Sequence, residues 1–220
     1  GRFATIDYSK YPDLAKMTEN TEFSWCTEIP DVHKEKDFEY KLDLQYVRCV
    51  WAAIQKLPKS ERIPVENFIK QSLSQRNVAW VVRLKLYYKY TNEQIKNRLL
   101  SISENPTEND PIAGDAIKVL DLPVDSWADW KQSVYSDCLN PYLGSDDWTV
   151  DPRWLQQAMS KKNNALALKT FRQYPFTANV LVTWFKMKQF ELDCIRTAAE
   201  GLRLNVSSSE IKKIAGFEQL

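Results

Sequence analysis

The apolar and polar positions between Phe176 and Gly216 predict a long amphipathic helix followed by a short one. Placed at about 100° per residue, the apolar residues of the long helix gather on one side, which we expect to be its packing face. These residues are Leu181, Trp184, Leu192, Ile195, Ala198, Ala199 and Leu202. Lys188 and Glu191 lie within the same arc and, three residues apart, are neighbours on the helix surface. Charges on a packing face need partners, so this pair requires an explanation.

The same periodicity predicts helices along most of the remaining chain. Thr91-x-x-Gln94 has the form of a capping box, and Asp151-Pro152 places a proline in the first turn of a helix. Alternating runs bounded by hairpin turns are nearly absent. The predicted helices cover residues 34–57, 65–90, 95–101, 112–120, 125–139, 152–172 and 180–202, with a turn at 59–64. The sequence therefore predicts an all-α protein.

Breaks in this periodicity divide the chain into four segments. Residues 1–33 are irregular, residues 34–105 form a first helical unit, residues 106–150 link it through short helices and loops, and residues 151–220 form a second unit. The polar, proline-bounded stretch 101–111 is the best candidate for a linker. We nevertheless expect one continuous helical body.

The two helical units are similar at their ends. A run from Asn77 to Ile95 aligns, with one gap, with a run from Cys194 to Ile211. In each run a long amphipathic helix ends at a short turn, and a Ser/Thr-capped acidic helix follows. The similarity fits either an internal repeat or the ordinary construction of two helices joined by a turn.

Composition narrows the functional classes. The chain has 30 basic and 29 acidic residues, so its net charge of +1 gives no global preference for nucleic acid or an anionic membrane. Five glycines in 220 residues leave little room for glycine-rich phosphate loops. The four cysteines form no C-x-x-C pair, and we expect them to be reduced. No apolar run reaches the roughly 18 residues of a membrane span, and no signal peptide opens the chain, so we expect a cytoplasmic protein.

The sequence offers no catalytic constellation. The single histidine, His33, lies in a polar loop and is most simply a solvated residue. No His/Cys cluster has zinc spacing, and Asp146-Asp147 lacks the oxygen ladder of a calcium loop. Neither G-x-x-x-x-G-K-[ST] nor G-x-G-x-x-G occurs. The lysines and tyrosines of residues 85–90 could stack on single strands, but on a helix they point in different directions. We predict no catalytic, metal or cofactor site and no nucleic-acid partner.

Polar residues on apolar helix faces are the remaining candidates for function. They are Asn77, Lys188 and Glu191, with Arg76 and Arg83 at the margin of their face. Arg196, on the polar side of its helix, is a further candidate for holding its unit to a neighbour. Because an unpaired buried charge is costly, these side chains should pair with one another or with a partner protein. One interpretation is an intramolecular network, for instance Glu191 with Lys188 or with Arg83, and we favour it. The other is a groove that receives another polypeptide.

Two stretches share a degenerate pattern of a helix end, a short step and an acidic cap. One consists of Glu191, Cys194, Ile195, Arg196, Glu200, Gly201, Ser209, Glu210 and Ile211, and the other of Arg76, Asn77, Arg83, Lys85, Thr91, Glu93 and Ile95. They resemble the E-x-x-N-[LI]-R helix end, the E/R-G-K-like step and the S/T-x-E-E-I cap that recur in the C subunit of V/A-type rotary ATPases, which is called subunit d in eukaryotes. Cys194 stands where the family usually has asparagine, and Leu202 where lysine is common.

This resemblance implies an all-helical, funnel-like bundle built from repeated long-helix/turn/helix units. In that family the subunit sits on the membrane rotor ring and receives the foot of the central stalk of a proton- or sodium-translocating ATPase. It carries no catalysis of its own. The implied partners are therefore the other rotary ATPase subunits, and the implied location is peripheral to the membrane through the complex.

The chain is shorter than the family's three repeated units would require, and it begins with Gly1 rather than Met. We expect either a missing N-terminal part or a divergent bacterial relative. The alternative function is a helical-repeat scaffold that presents a concave peptide-binding surface.

Overall fold

The computed structural model describes residues 14–27, 35–144 and 147–215. Helices make up most of the described residues and no described residue belongs to a β-strand, which confirms the all-α class. None of the helices in the described ranges is long and apolar enough to cross a membrane. The helices are α1 (Leu14–Thr18), α2 (Glu35–Gln55), α3 (Lys59–Tyr88), α4 (Asn92–Lys96), α5 (Gly114–Lys118), α6 (Trp127–Lys131), α7 (Pro152–Gln173), α8 (Asn179–Arg203) and α9 (Ser208–Ala215).

The chain forms two compact units, Gly1–Ala53 and Ile54–Leu220. In the first unit, Trp25 packs edge-on against Phe38 of α2, with 5.6 Å between the ring centroids. The Lys41 ammonium lies 4.0 Å above the Trp25 ring as a cation–π contact. Aromatic packing therefore fixes the segment around Trp25 against α2.

In the second unit, the long helices α3, α7 and α8 contact one another. The hydrophobic core combines the C-terminal half of α3 with α5, α6 and the N-terminal half of α7. Val81, Trp130 and Leu155 are among its fully buried side chains. The Trp130 indole N–H donates to the Pro123 carbonyl at 2.9 Å, so the buried ring leaves no polar atom unsatisfied.

Helix α3 begins at Lys59, so the predicted turn at 59–64 is wrong. Pro64 lies inside the helix, close to its start. Its ring removes the hydrogen bond that an N–H at this position would donate one turn back. Val65 and Phe68 next to it are buried, and their packing stabilises the extra turns.

Local capping rules predicted two helix caps correctly, although the helix predicted at 95–101 is α4, Asn92–Lys96. The Thr91 hydroxyl accepts from the Gln94 N–H at 3.3 Å, and the Gln94 side-chain oxygen accepts from the Thr91 N–H at 3.0 Å, which confirms the capping box. The Asp151 carboxylate accepts from the Arg153 N–H at 2.8 Å at the start of α7. The helix observed in the predicted range 125–139 is shorter than expected, since α6 covers only Trp127–Lys131.

The prediction that the apolar arc of α8 is its packing face is wrong. Five large apolar side chains on that side of the helix are between 45% and 67% exposed, and we call them the α8 stripe: Leu181, Phe185, Leu192, Ile195 and Leu202. The helix packs instead through the side that carries Asn179, Thr183 and Cys194. The Thr183 hydroxyl donates to the Asn179 carbonyl at 2.7 Å, so this polar side chain is satisfied when buried.

The stretch 101–111 is a tightly fixed loop. At its end, Asp110 is only 6% exposed. Its two carboxylate oxygens accept four backbone N–H bonds at 2.9 to 3.1 Å, from Ile102, Ser103, Ile112 and Ala113. Burial by itself would raise the pKa of Asp110, but the backbone hydrogen bonds outweigh it and hold the pKa below its ordinary value.

We expect Asp110→Asn to lower the free energy of unfolding by about 1–3 kcal/mol at neutral pH, because an amide NH₂ would face two backbone donors. The folded pKa of Asp110 lies below the unfolded value of about 3.9, so its contribution is complete above that pH and disappears as pH falls through the folded pKa. Urea unfolding of both proteins between pH 7 and pH 3 measures the difference.

The difference between wild type and variant should therefore shrink below about pH 4. Asp129→Asn is the matched control, since Asp129 is exposed on α6, and it should change stability little at any pH. A pH-independent difference for Asp110→Asn would contradict the assigned role of the charge.

Candidate functional site

Asn77 is a structural anchor on α3. It is 1% exposed, and its side-chain amide donates to the carbonyls of Leu100 and Ile112 at 2.7 and 3.2 Å. Its side-chain oxygen accepts from the Leu100 N–H at 3.0 Å. Ser74, one turn earlier, also donates to the Ile112 carbonyl, at 3.2 Å. The polar residues of this face therefore bind the backbone of the loop that contains Asp110.

Lys85 has a structural role that sequence reasoning missed. Its ammonium donates to the carbonyls of Leu120 and Leu122, the latter at 3.0 Å, just beyond the C-terminus of α5. Burial lowers the pKa of Lys85, and Asp121 opposes that shift. A cation is well placed there, because the carbonyls after a helix end have no partners in the helix. The lysine of the E/R-G-K-like step was the one sequence feature that marked this position.

Arg83 is half-buried on α3, and its Nε atom is buried without a hydrogen-bond partner among the described residues. The candidates thus divide between two helices. Asn77 and Arg83 lie on α3, with Asn77 in the interior, while Lys188, Glu191 and Arg196 lie on exposed parts of α8.

The charged candidates of α8 pair with their neighbours on the same helix. Lys188 and Glu191 form an ion pair at 2.6 Å, with their side chains 54% and 57% exposed. Arg196 pairs with Asp193 at 3.6 Å and is still more exposed. The sequence suggested Lys188 or Arg83 as the partner of Glu191, and Glu191 pairs with Lys188. Such exposed pairs contribute at most about 1 kcal/mol each. Because Lys188 and Glu191 remain in solvent, their position within the apolar arc carries little energetic cost.

The start of α8 contains a buried polar residue that no sequence pattern indicated. Asn179 is fully buried, and both polar atoms of its side chain lack a hydrogen-bond partner among the described residues. Glu61 of α3 accepts from the Ala178 N–H at 3.2 Å and so provides a carboxylate at the N-terminus of α8. This contact joins the beginnings of α3 and α8.

The turns that follow α3 and α8 have the same construction. Lys89 and Asn205 each adopt a left-handed conformation, with φ of 53° and 55°. A hydroxyl two residues later then accepts from the backbone N–H three residues on, in the pairs Thr91–Gln94 and Ser207–Glu210. The next residue in each short helix, Ile95 or Ile211, is buried. The two turns thus match in backbone conformation, cap and buried anchor.

The described residues include no group of three or more His, Cys, Asp or Glu side chains placed to hold a metal ion. His33 and Asp146 lie outside the described residues. Three groups with perturbed pKa values have structural partners: Asp110 binds its loop, Lys85 binds carbonyls, and the Tyr135 hydroxyl donates to Asp115 at 3.0 Å. Burial raises the pKa of Tyr135, and Asp115 raises it further. These arrangements stabilise the body of the protein.

Comparison with known protein families identifies the family of this chain. The ATP synthase (C/AC39) subunit family matches residues 4–214. The chain belongs to this family. The C/AC39 subunit is a stalk subunit of V/A-type ATPases, so the family suggested by the two similar stretches is confirmed.

Within the C/AC39 family, the chain is similar to an uncharacterized protein of Treponema pallidum (strain Nichols), with 25% identity over 207 residues. The match covers 91% of this chain and 59% of that relative, so the chain spans less than two thirds of the relative's length. No solved structure matches the chain.

In this C/AC39 chain, we expect Asn77→Ala to lower the free energy of unfolding by about 2–4 kcal/mol, because it leaves buried backbone groups of Leu100 and Ile112 without partners. Glu191→Ala should cost less than about 1 kcal/mol, since its ion pair is exposed. Urea unfolding of both variants measures these losses. Equal losses for the two variants would show that the interior position of Asn77 does not matter.

Proposed function

We propose that the chain is a non-catalytic adaptor that couples the central stalk to the membrane rotor ring of a V/A-type proton- or sodium-translocating ATPase. The family match over residues 4–214 is the observation that carries this proposal. The proposed partners are the stalk and ring subunits, and the proposed location is the cytoplasmic face of the membrane, through the complex. The chain itself would bind no nucleotide, metal or nucleic acid.

The internal repeat is part of this proposal. We infer that α3–α4 and α8–α9 are two copies of one long-helix/turn/helix unit, and that residues 34–105 and 151–220 are the corresponding units, joined by residues 106–150. The matching turns at Lys89 and Asn205 support this inference, because a left-handed residue followed by a hydroxyl cap and a buried isoleucine recurs in the aligned order. Stacked copies of such a unit would give the funnel-like body.

The packing of the second unit suits transmission of torque. Close-packed interiors deform little, so a force applied at one surface is carried to another. Here α7 contacts both α3 and α8, and the intervening loop is fixed by Asp110 and Asn77. Candidates Arg83, Lys188, Glu191 and Arg196 are proposed contributors to partner contacts, since Arg83 has an unused donor and the others are exposed.

Affinity purification of the tagged full-length chain in gentle detergent tests the proposal. We expect it to recover stalk and ring subunits of a rotary ATPase, while an unrelated protein with the same tag recovers none. Removing the chain from cells should abolish ATP-driven ion transport in membrane vesicles and leave ATP hydrolysis by the detached catalytic head. Recovery of other proteins without any ATPase subunit would favour the helical-repeat scaffold instead.

A further inference from the structure

The α8 stripe is an apolar surface without a cover in the described part of the chain. Its five side chains lie within about 100° of arc on a regular helix, and Lys188 and Ala199 lie between them. The side of α8 that packs against the body, with Thr183 and Cys194, lies roughly opposite. Helix α8 therefore packs through one side and leaves its apolar stripe exposed.

Helix α3 has a side that corresponds to the α8 stripe, and on α3 this side is buried. With Asn77 aligned to Cys194, the five positions of the α8 stripe correspond to Pro64, Phe68, Gln75, Val78 and Lys85. The first four of these are buried. Lys85 is half-buried, with its ammonium bound to carbonyls. The same side of the helix is thus interior in one unit and exposed in the other.

Residues 99–122 cover the C-terminal half of that side of α3. Val78 and Val82 pack with Ala113, Ala116 and Val119 in one core cluster. Small and aliphatic side chains at the start, middle and end of α5 make this contact. The cover on α3 is therefore a short helix with an uncharged contact side, held in place by hydrogen bonds from Asn77 and Lys85.

Sequence changes make the α8 side more apolar than the α3 side. Leu192 replaces the amide of Gln75, and Leu202 replaces the ammonium of Lys85. A leucine side chain cannot donate to backbone carbonyls, so the occupant of the α8 stripe must be held mainly by apolar contact. The occupant is thus expected to present a fully apolar contact side.

Charges around the α8 stripe neutralise one another within the helix. Lys188 pairs with Glu191, Arg196 with Asp193, and Arg203 with Glu200. An acidic peptide or an anionic lipid surface would need unpaired basic side chains here. Local neutrality instead favours an uncharged partner surface.

The area of the stripe is sufficient for a specific protein contact. Each of the five side chains exposes on the order of 100 Å², so the stripe offers roughly 500 Å². A partner that covers it would bury about 1,000 Å² in total, which is near the lower limit for specific interfaces. One docked helix matches that size.

We propose that the α8 stripe binds a helix of another subunit of the ATPase complex, and that this helix presents an uncharged side of small and aliphatic residues to Leu192, Ile195 and Leu202. It takes the place on α8 that residues 99–122 take on α3. This inference rests on the proposed function, because it draws the partner from that complex.

A photo-crosslinking amino acid in place of Ile195 tests the contact directly. The full-length tagged chain is irradiated in its native cells, purified, and the crosslinked peptides are identified by mass spectrometry. We expect crosslinks to a helix of another ATPase subunit with an uncharged contact side. The same amino acid in place of Val134, which is 77% exposed, should not crosslink to that helix.

Leu192→Glu combined with Ile195→Glu provides the second measurement. Both side chains are exposed, so the Tm should stay within a few degrees of wild type. The recovery of ATPase subunits with the tagged chain should fall at least about ten-fold, which corresponds to about 1.4 kcal/mol of binding free energy. Val134→Glu should leave recovery unchanged.

Several outcomes would overturn the inference. Crosslinks from position 195 to a second copy of the chain, to lipid, or to a segment of the same chain would each exclude a helix of another subunit. If the wild type recovers ATPase subunits and the double variant recovers them equally well, the stripe is not the contact and the proposed function stands. If the wild type recovers no ATPase subunit, both proposals fail.

Discussion

The hydrogen bonds that the Asp110 carboxylate accepts from backbone N–H groups are the interaction on which the second unit depends most. A loop that carries buried residues such as Leu99 and Ile112 must find partners for its backbone N–H groups, since water is excluded there. One carboxylate satisfies four of them. Asn77 of α3 then satisfies further backbone groups of the same loop. The loop can therefore lie on α3 as part of the core, and α5 follows it into position.

The need to satisfy the backbone groups of a covering segment also bears on α3 and α8, whose C-terminal turns are alike but of which only α3 is covered on this side. On α3, Ser74, Asn77 and Lys85 provide donors that hold the covering segment by its carbonyls. On α8 the aligned positions carry Glu191, which pairs with Lys188; Cys194, which is buried on the packing side; and Leu202, which has no donor. The second helix keeps an exposed apolar side. Under the proposed function, that side and the rigid layer of α3, α7 and α8 serve one purpose, because an adaptor needs both a stiff body and a surface for its neighbour.

Among the polar residues described above, the degree of burial distinguishes structural anchors from surface residues better than residue type does. Asn77 and Asp110 are polar, yet both are interior and bind backbone groups of one loop. Glu191 and Arg196 are charged and lie in or beside an apolar arc, yet both remain in solvent with local partners. A polar residue in an apolar pattern thus indicates either an interior anchor or an exposed side, and the pattern alone does not distinguish them.

The sequence by itself determined the all-α class, the capping box at Thr91, the proline start of α7 and the family, because these depend on neighbours in the chain or on motifs. Tertiary structure decided which side of α8 packs, that Pro64 lies within α3, and that residues 101–111 are a fixed loop. The physical reason is that periodicity reports the apolar sides of a helix but not which of them meets another element. The donors of Asn77 and Lys85 acquire their roles only when residues far along the chain are brought beside them.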